Sequence, residues 1–431
     1  MQVSVESIGK LERRMQVQVP AELVSKEIAT RLKQLTRTAR LNGFRPGKAP
    51  LTVIRRQFGQ QVHRDVIGDL VQSSFTEAVT QKQLAPAGTP RFEPQTVGEG
   101  EDLTYVATFE VFPEVALRPV ESLKIERVTA EVTESDVDAM VERLRKQQMK
   151  YTAVARPAAN ADKVTVDFEG SIDGVPFAGG KGDNVSIVLG EGRMLAQLEQ
   201  GLAGAVAGEV REVGVDFPAD YRVAELAGKH AKFKVVVKSV EEPSLPALDE
   251  EFCKSFGVAE GGVPKLREDV RANMRRELDQ ALRNRNKAAV LDKLYQANPI
   301  DVPNALLESQ IRDMQIELMR RAGTKDVSQA PSREPLVEPA RRRAALGLLM
   351  NDIIHREHIV LDPARSNARL DEMVGAYGDA AALKRAYLQN ADAMRQVESL
   401  ALEDQVVDWI LAHATVHDSP STFKELMNFD G

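Results

Sequence analysis

Hydrophobic periodicity changes twice along this 431-residue chain, and one uniform fold cannot satisfy all three textures. Up to residue 115, short alternating stretches flank segments of helical period. Between 151 and 243, glycine is frequent and two-residue alternation dominates, at KVTVDFEG (163–170), NVSIVLG (184–190), EVREVGVDF (209–217) and AKFKVVVKSV (231–240). Beyond 262 almost every segment has the 3.6-residue period of a helix. Strands place alternate residues on one face and helices every third or fourth, so each texture needs its own core. The pattern predicts several domains.

The first region reads as two short strands over 1–19, then a helix over 20–40 with Pro20 in its first turn and Lys33, Arg37 and Arg40 near its negative end. GFRPGKAP (43–50) reads as a loop stiffened by two prolines and bent by two glycines. A short helix (50–58) is expected to end at Gly59, followed by a longer one (60–82). Strand character returns over 90–113. Strands, then helices, then strands indicate a compact α+β domain. Residues 116–150 start extended and become a charged helix opened by Thr133 and Glu134. The prolines of EEPSLPALDEEF mark the end of the glycine-rich region. Helices then run over about 264–297, 303–322, 335–358, 363–376, 379–389 and 391–415.

Charge is uneven. Residues 10–64 hold 13 Lys or Arg against three acids, a local charge of +10, which leaves −17 for the rest of a chain of net charge −7. A basic end on an acidic body suits contact with a polyanion; chance clustering on a solvated face is the plainer alternative. The single cysteine, Cys253, excludes an intramolecular disulfide framework and a cysteine-cluster zinc site. The opening residues lack an apolar stretch of signal-peptide length, and no run approaches the 18 or so apolar residues of a membrane span. The expectation is a cytoplasmic protein with no membrane anchor.

Enzyme signatures are sparse. GFRPGK is one residue short of a phosphate loop, and Ala49 stands where a magnesium-binding hydroxyl is needed. GEGRML (190–195) has Leu195 in place of the third glycine of a dinucleotide fingerprint. His355 and His358 share a helix face without an evident third metal ligand. Any chemistry here is expected to need neither a cofactor nor an acid–base pair.

Three further stretches join GFRPGKAP in a resemblance. VDFEGSIDGVPFAGG (166–180), LGEGRMLAQLEQGLAGAVAGE (189–209) and FPADYRVAELAGKHAKFKV (217–235) are similar to an FKBP-type peptidyl-prolyl isomerase. GFRPGKAP resembles the ribosome-binding signature of bacterial trigger factor, and TFKELMN (422–428) resembles its terminus. Length, domain order and both ends agree, so the chain is identified as resembling the trigger factor family throughout.

That resemblance implies a ribosome-binding α+β domain (1–115), a linker and helix (116–150), an FKBP-like β-rich isomerase domain with a short helix (151–243) and a helical chaperone domain with arms (244–431). Together with 116–150, that last segment would form a discontinuous all-α domain. It implies docking on the large ribosomal subunit, on ribosomal protein and rRNA, through Gly43, Phe44, Arg45, Pro46, Gly47 and Lys48. In the isomerase domain it implies an apolar cup. Phe168, Phe177 and Phe233 would be walls, Met194 and Leu195 the floor, and Tyr221 a hydroxyl for the substrate carbonyl. Leu198 stands where an aromatic floor residue is usual. Ala178 replaces an acid, and Val185 and Ile187 lie where another aromatic is often found. A shallower cup and weakened activity are expected. Nascent and unfolded polypeptides are the implied clients, held without ATP, and methionines 314, 319, 350, 373 and 394 suit adaptable binding surfaces or, more plainly, helix cores. Self-association off the ribosome is implied; DNA binding is not. Two readings of other classes compete: a pure isomerase whose flanks recruit substrate, and a ribosome assembly factor that holds no client. A secreted chaperone is disfavoured by the absent signal peptide.

Overall fold

The structure, a computed structural model, describes residues 1–39, 44, 50–96, 98, 100–192, 194–219, 221, 223, 225–324, 326–375 and 379–429. Its N-terminal elements are β1 (Gln2–Ser7), β2 (Glu12–Val19), α1 (Ala21–Thr38), α2 (Leu51–Gln81), β3 (Arg91–Thr96) and β4 (Leu103–Glu110). The middle of the chain forms β5 (Lys124–Thr129), α3 (Glu134–Gln147), β6 (Lys150–Ala153), β7 (Lys163–Ile172), β8 (Val175–Val188), α4 (Ala196–Leu202), β9 (Val210–Asp216) and β10 (His230–Ser244). There follow α5 (Glu250–Ser255), α6 (Gly262–Ala297), α7 (Asn304–Arg321), α8 (Val337–Arg356), α9 (Pro363–Val374), α10 (Ala380–Gln389), α11 (Ala391–His413), β11 (Thr415–Pro420) and α12 (Phe423–Met427). The architecture is multi-domain α+β. Two compact units result, Met1–Arg127 with Asn284–Ser419, and Val128–Arg283 with Pro420–Gly431. Among the described residues, no helix is long and apolar enough to cross a membrane.

In the first unit, an antiparallel sheet of order β1-β2-β4-β3 lies against α1 and α2. Phe75 of α2 meets Phe92 and Phe109 edge-on, with ring centroids 5.3 and 5.2 Å apart. The buried Tyr105 hydroxyl is satisfied by Ser74, 2.9 Å away, and burial pushes the phenol pKa up. Pro20 has no side chain to cap α1. Asp102 does it instead, accepting the Ala21 N–H at 2.8 Å and a Gln18 amide hydrogen bond at 2.8 Å, and both hold its carboxyl below the usual range.

The expected break at Gly59 does not occur, and α2 runs unbroken from Leu51 to Gln81. A mid-helix glycine costs only about 1 kcal/mol. Ile54 before it and Val62 and Val66 after it bury the same face against Leu32 of α1, and that packing outweighs the penalty.

The helical part of this unit packs α8 by two different faces. Ala340, Ala344 and Ala345 meet Leu307 and Ile311 of α7, whereas Leu349 and Ile353 meet Val290 and Leu294 of α6 and Val406 and Ile410 of α11. All five singled-out methionines are half-buried. The expectation of nearly continuous helix beyond 262 needs one correction. β11 pairs with β5, and Arg127 donates two hydrogen bonds to Asp418, at 2.7 and 3.0 Å. The alternation in this short strand is weak, and its partner lies almost 300 residues away.

In the second unit, β10 is central, pairing with β6, β7 and β9, while β8 extends the sheet beyond β7. All these pairings are antiparallel. Helix α3 opens with a capping box between Thr133 and Asp136. Its Val137 and Val141 form a core with Met274 and Leu278 of α6 and with Phe423 and Phe429 of the tail. Thr422 and Glu425 cap α12, and Asn428 closes it in the left-handed conformation, φ 47°, as the Phe429 N–H returns to the Lys424 carbonyl at 2.9 Å. The tail is therefore part of a core. Phe423→Ala should destabilise this packing by about 3–5 kcal/mol, read as faster amide hydrogen exchange in α3 and the first half of α6. Unchanged exchange there would show that the tail contributes nothing to holding them.

Candidate functional site

Strand register assembles the aromatic wall. Phe233 on β10 lies opposite Gly170 on β7 and Val213 on β9. A Cβ at Gly170 would sit 2.6 Å from the Phe233 ring, so only glycine lets that ring lie over β7. Two residues earlier, Phe168 points to the same face of β7, and its ring lies over Gly182 of β8, where a Cβ would come within 2.7 Å. Gly170 and Gly182 thus make room for phenyl rings.

The rings form a connected run. Phe168 and Phe233 have centroids 5.9 Å apart, and Phe233 and Phe177 are 6.0 Å apart at 89°. Phe177 meets Phe217 at 6.1 Å and 84°, and Phe217 meets Tyr221 at 4.7 Å. Edge-on pairs of this kind add about 0.5–1.5 kcal/mol beyond their burial. Leu198, on α4, is buried beneath them, while Met194 and Leu195 are half-buried at the edge. Phe168, Phe177, Met194, Leu195, Leu198, Tyr221 and Phe233 thus all belong to one hydrophobic cluster. Ile187 is buried in it and Val185 half-buried, and Ala178 is exposed.

Phe217 is the ring that sequence reasoning missed. It links Tyr221 to the other phenyl groups, so the cluster holds one ring more than Phe168, Phe177, Tyr221 and Phe233. The signal was present: Val213, Val215 and Phe217 alternate, and all three are buried. Tyr221 is half-buried, and its hydroxyl has no hydrogen-bond partner among the described residues.

The entry to this domain is pinned by a buried carboxylate. Asp162 accepts two hydrogen bonds from Arg156, at 2.6 and 3.0 Å, and one from the Ala159 N–H at 2.8 Å. Arg156 also reaches Glu242 at 3.2 Å. The Arg156 guanidinium holds the Asp162 carboxyl below the usual range.

A second candidate site is the α1–α2 connection. Beyond the sheet, the two helices form their own small core from Leu32, Ile54, Val62 and Val66. Phe44, between them, is 40% exposed. Gly43, Arg45, Pro46, Gly47 and Lys48 lie outside the described residues. Lys26, Lys33, Arg37, Arg55, Arg56 and Arg64 are exposed along the two helices.

Comparison with known proteins agrees with this layout. A family model described as Bacterial trigger factor protein (TF) matches residues 1–144, and one described as Bacterial trigger factor protein (TF) C-terminus matches residues 262–412. Between them, an FKBP-type peptidyl-prolyl cis-trans isomerase model matches residues 154–238. The trigger factor of Thioalkalivibrio sulfidiphilus is 43% identical over 428 residues, covering 99% of this chain and 98% of that protein. That of Pseudomonas syringae pv. syringae is 44% identical over 425 residues, covering 99% and 98%.

The chain belongs to the trigger factor family. It is accordingly a ribosome-associated chaperone carrying an FKBP-type peptidyl-prolyl isomerase domain. A solved structure of the trigger factor chaperone, from work on promiscuous substrate recognition in folding and assembly, is similar in fold. It covers 96% of this chain and 99% of its own, with a TM-score of 0.51 and 18% identity.

The Asp162 contacts make a pH prediction for this domain. Its folded pKa lies below the unfolded value of roughly 3.9, so its contribution to stability is present above that value and lost as pH falls through the folded pKa. Acid unfolding of β7 and β10, followed by amide exchange, should shift to higher pH in Asp162→Asn. An identical acid midpoint would remove Asp162 from the account.

Proposed function

We propose that the ring-lined cup is the isomerase site and that the α1–α2 tip is the ribosome anchor of this chaperone. On this reading the chain works as four segments, 1–115, 116–150, 151–243 and 244–431, with the second and fourth acting together.

The chemistry follows from amide resonance. Partial double-bond character gives an X–Pro bond a rotation barrier of about 18–20 kcal/mol. The resonance form is charge-separated, so an apolar, water-excluding surface disfavours it and eases rotation. Phe168, Phe177, Phe217 and Phe233 supply that surface, with Met194, Leu195 and Leu198 beneath the proline. Tyr221 donates from its hydroxyl to the substrate carbonyl and orients the chain. The observation that carries this reading is the connected run of five rings around a buried leucine, with a single free hydroxyl at its end.

At the anchor, Phe44 provides an apolar contact, and Arg45 and Lys48 meet rRNA phosphate and acidic ribosomal-protein side chains. Gly43, Pro46 and Gly47 shape the tip and lower the entropy lost on docking. The exposed basic residues of α1 and α2 support an anionic partner. The protein acts in the cytoplasm and self-associates when off the ribosome. Clients are held by scattered apolar surface. Ile316 and Leu388 are exposed, and a cleft of about 810 Å³ between α6, α7, α8 and α11 is lined by Leu291, Tyr295, Leu346 and Met350 among charged residues. Such mixed surface binds many sequences weakly.

Two measurements test these assignments. Replacing Phe44, Arg45 and Lys48 together by alanine should abolish co-sedimentation with ribosomes without changing the circular dichroism of the chain. Wild-type pelleting by the folded variant removes the anchor assignment. In the full-length protein, Tyr221→Ala should slow catalysed cis–trans exchange of a Leu–Pro peptide by about fivefold, the worth of one hydrogen bond of about 1 kcal/mol. A wild-type protein that leaves exchange at its uncatalysed rate demotes the domain to a peptide binder.

A further inference from the structure

We propose that Gln197 and Glu199 are positioning residues that lock the two rims of the isomerase cup to its floor, an inference that rests on the isomerase reading above. Both flank Leu198 on α4. Successive residues of a helix are about 100° apart, so positions 197 and 199 leave on opposite sides when 198 points into the core. Each side chain then takes hold of a different loop.

Glu199 faces the loop that precedes α4. Its carboxylate accepts the Gly190 N–H at 3.1 Å and the Met194 N–H at 3.3 Å. That loop carries Met194 and Leu195. Gln197 faces the end of β9. Its carbonyl accepts the Asp216 N–H at 2.5 Å, and its amide donates to the Asp216 carboxylate at 3.1 Å. The other carboxylate oxygen of Asp216 is 2.6 Å from His230 Nδ1 at the start of β10. Asp216 leads directly into Phe217 and on to Tyr221.

Three backbone N–H groups of the rims therefore have side-chain acceptors on α4. The first contact holds the segment just before α4, and the second holds Asp216, the last residue of β9, where it pairs with His230 of β10; Met194, Leu195 and Tyr221 beyond these points are only half-buried. The floor itself is held by different contacts, since Leu198 and Leu202 pack with Val213 and Val215 in the core. Removing either clamp leaves the domain folded and lets one rim move. A cup whose walls move holds the prolyl bond in its rotating geometry for less of the time, which lowers turnover more than binding.

The test uses the full-length protein and a Leu–Pro peptide, with exchange followed by NMR at limiting and saturating peptide. Glu199→Ala and Gln197→Ala should each reduce the maximal rate about three- to tenfold with KM changed less than twofold. Amide exchange should speed up at Gly190 and Met194 in Glu199→Ala only, and at Asp216 in Gln197→Ala only. Glu199→Gln, which keeps one acceptor oxygen, should recover part of the rate. Variants that turn over like wild type overturn the clamp while the isomerase reading stands. So does a loss of rate that accompanies faster exchange throughout β7 and β10, since that is general destabilisation. A wild type that never exceeds the uncatalysed rate overturns the isomerase reading and the clamp with it.

Discussion

Phe233 lies opposite Gly170, and the isomerase domain depends on that pairing. β10 sits between β7 and β9, so its register decides which side chains share a face. A slip by one residue would turn Phe233 out of the cluster and place a lysine, 232 or 234, against the same glycine. With the register held, one ring touches Phe168 and Phe177 at once, and through Phe177 and Phe217 the wall reaches Tyr221. The glycines opposite the rings have a packing role, since any side chain at Gly170 or Gly182 would occupy the space of a phenyl group.

The chain separates its charges along its length, as the proposed anchor requires. Positive residues are concentrated on the long α1–α2 hairpin, while the chain outside residues 10–64 is acidic. An anionic surface attracts the hairpin and repels the rest, which favours one orientation of approach. Met314, Met350, Met373 and Met394 of the helical body are half-buried against its cores. A flexible thioether at a core edge can repack against an incoming apolar segment at small cost. The small residues on α8 let α7 approach closely, so this body is well packed internally while its rim remains adaptable.

Much of this was legible because it is local. The start of α3 at Thr133 and the alternating strands of the isomerase domain are encoded within a few residues. The seven residues expected to line a cup share one hydrophobic cluster, and the motifs that carry them are contiguous in sequence. Phe217 was overlooked because its role lies in a ring contact with Phe177, forty residues away. The unbroken α2 was misread at Gly59 for a related reason: local propensity argued for a stop, and burial against α1 overrode it. β5 and β11 gave little strand signal apart, since each is defined by the other.

The sequence by itself determined the number of textures, the opening of α3 at Thr133, the basic stretch and the aromatic and aliphatic residues of the middle domain, because propensity, charge and periodicity act over one or two turns of chain. Only the tertiary structure decided that Phe217 completes the wall, that Asp102 caps α1, that Gln197 and Glu199 reach opposite rims, and that Phe423 and Phe429 are core. Each of these is a contact between segments distant in sequence or a direction taken by a side chain. Such contacts are chosen by the packing of the whole unit, where burial of a shared apolar face outweighs the preference of any one segment.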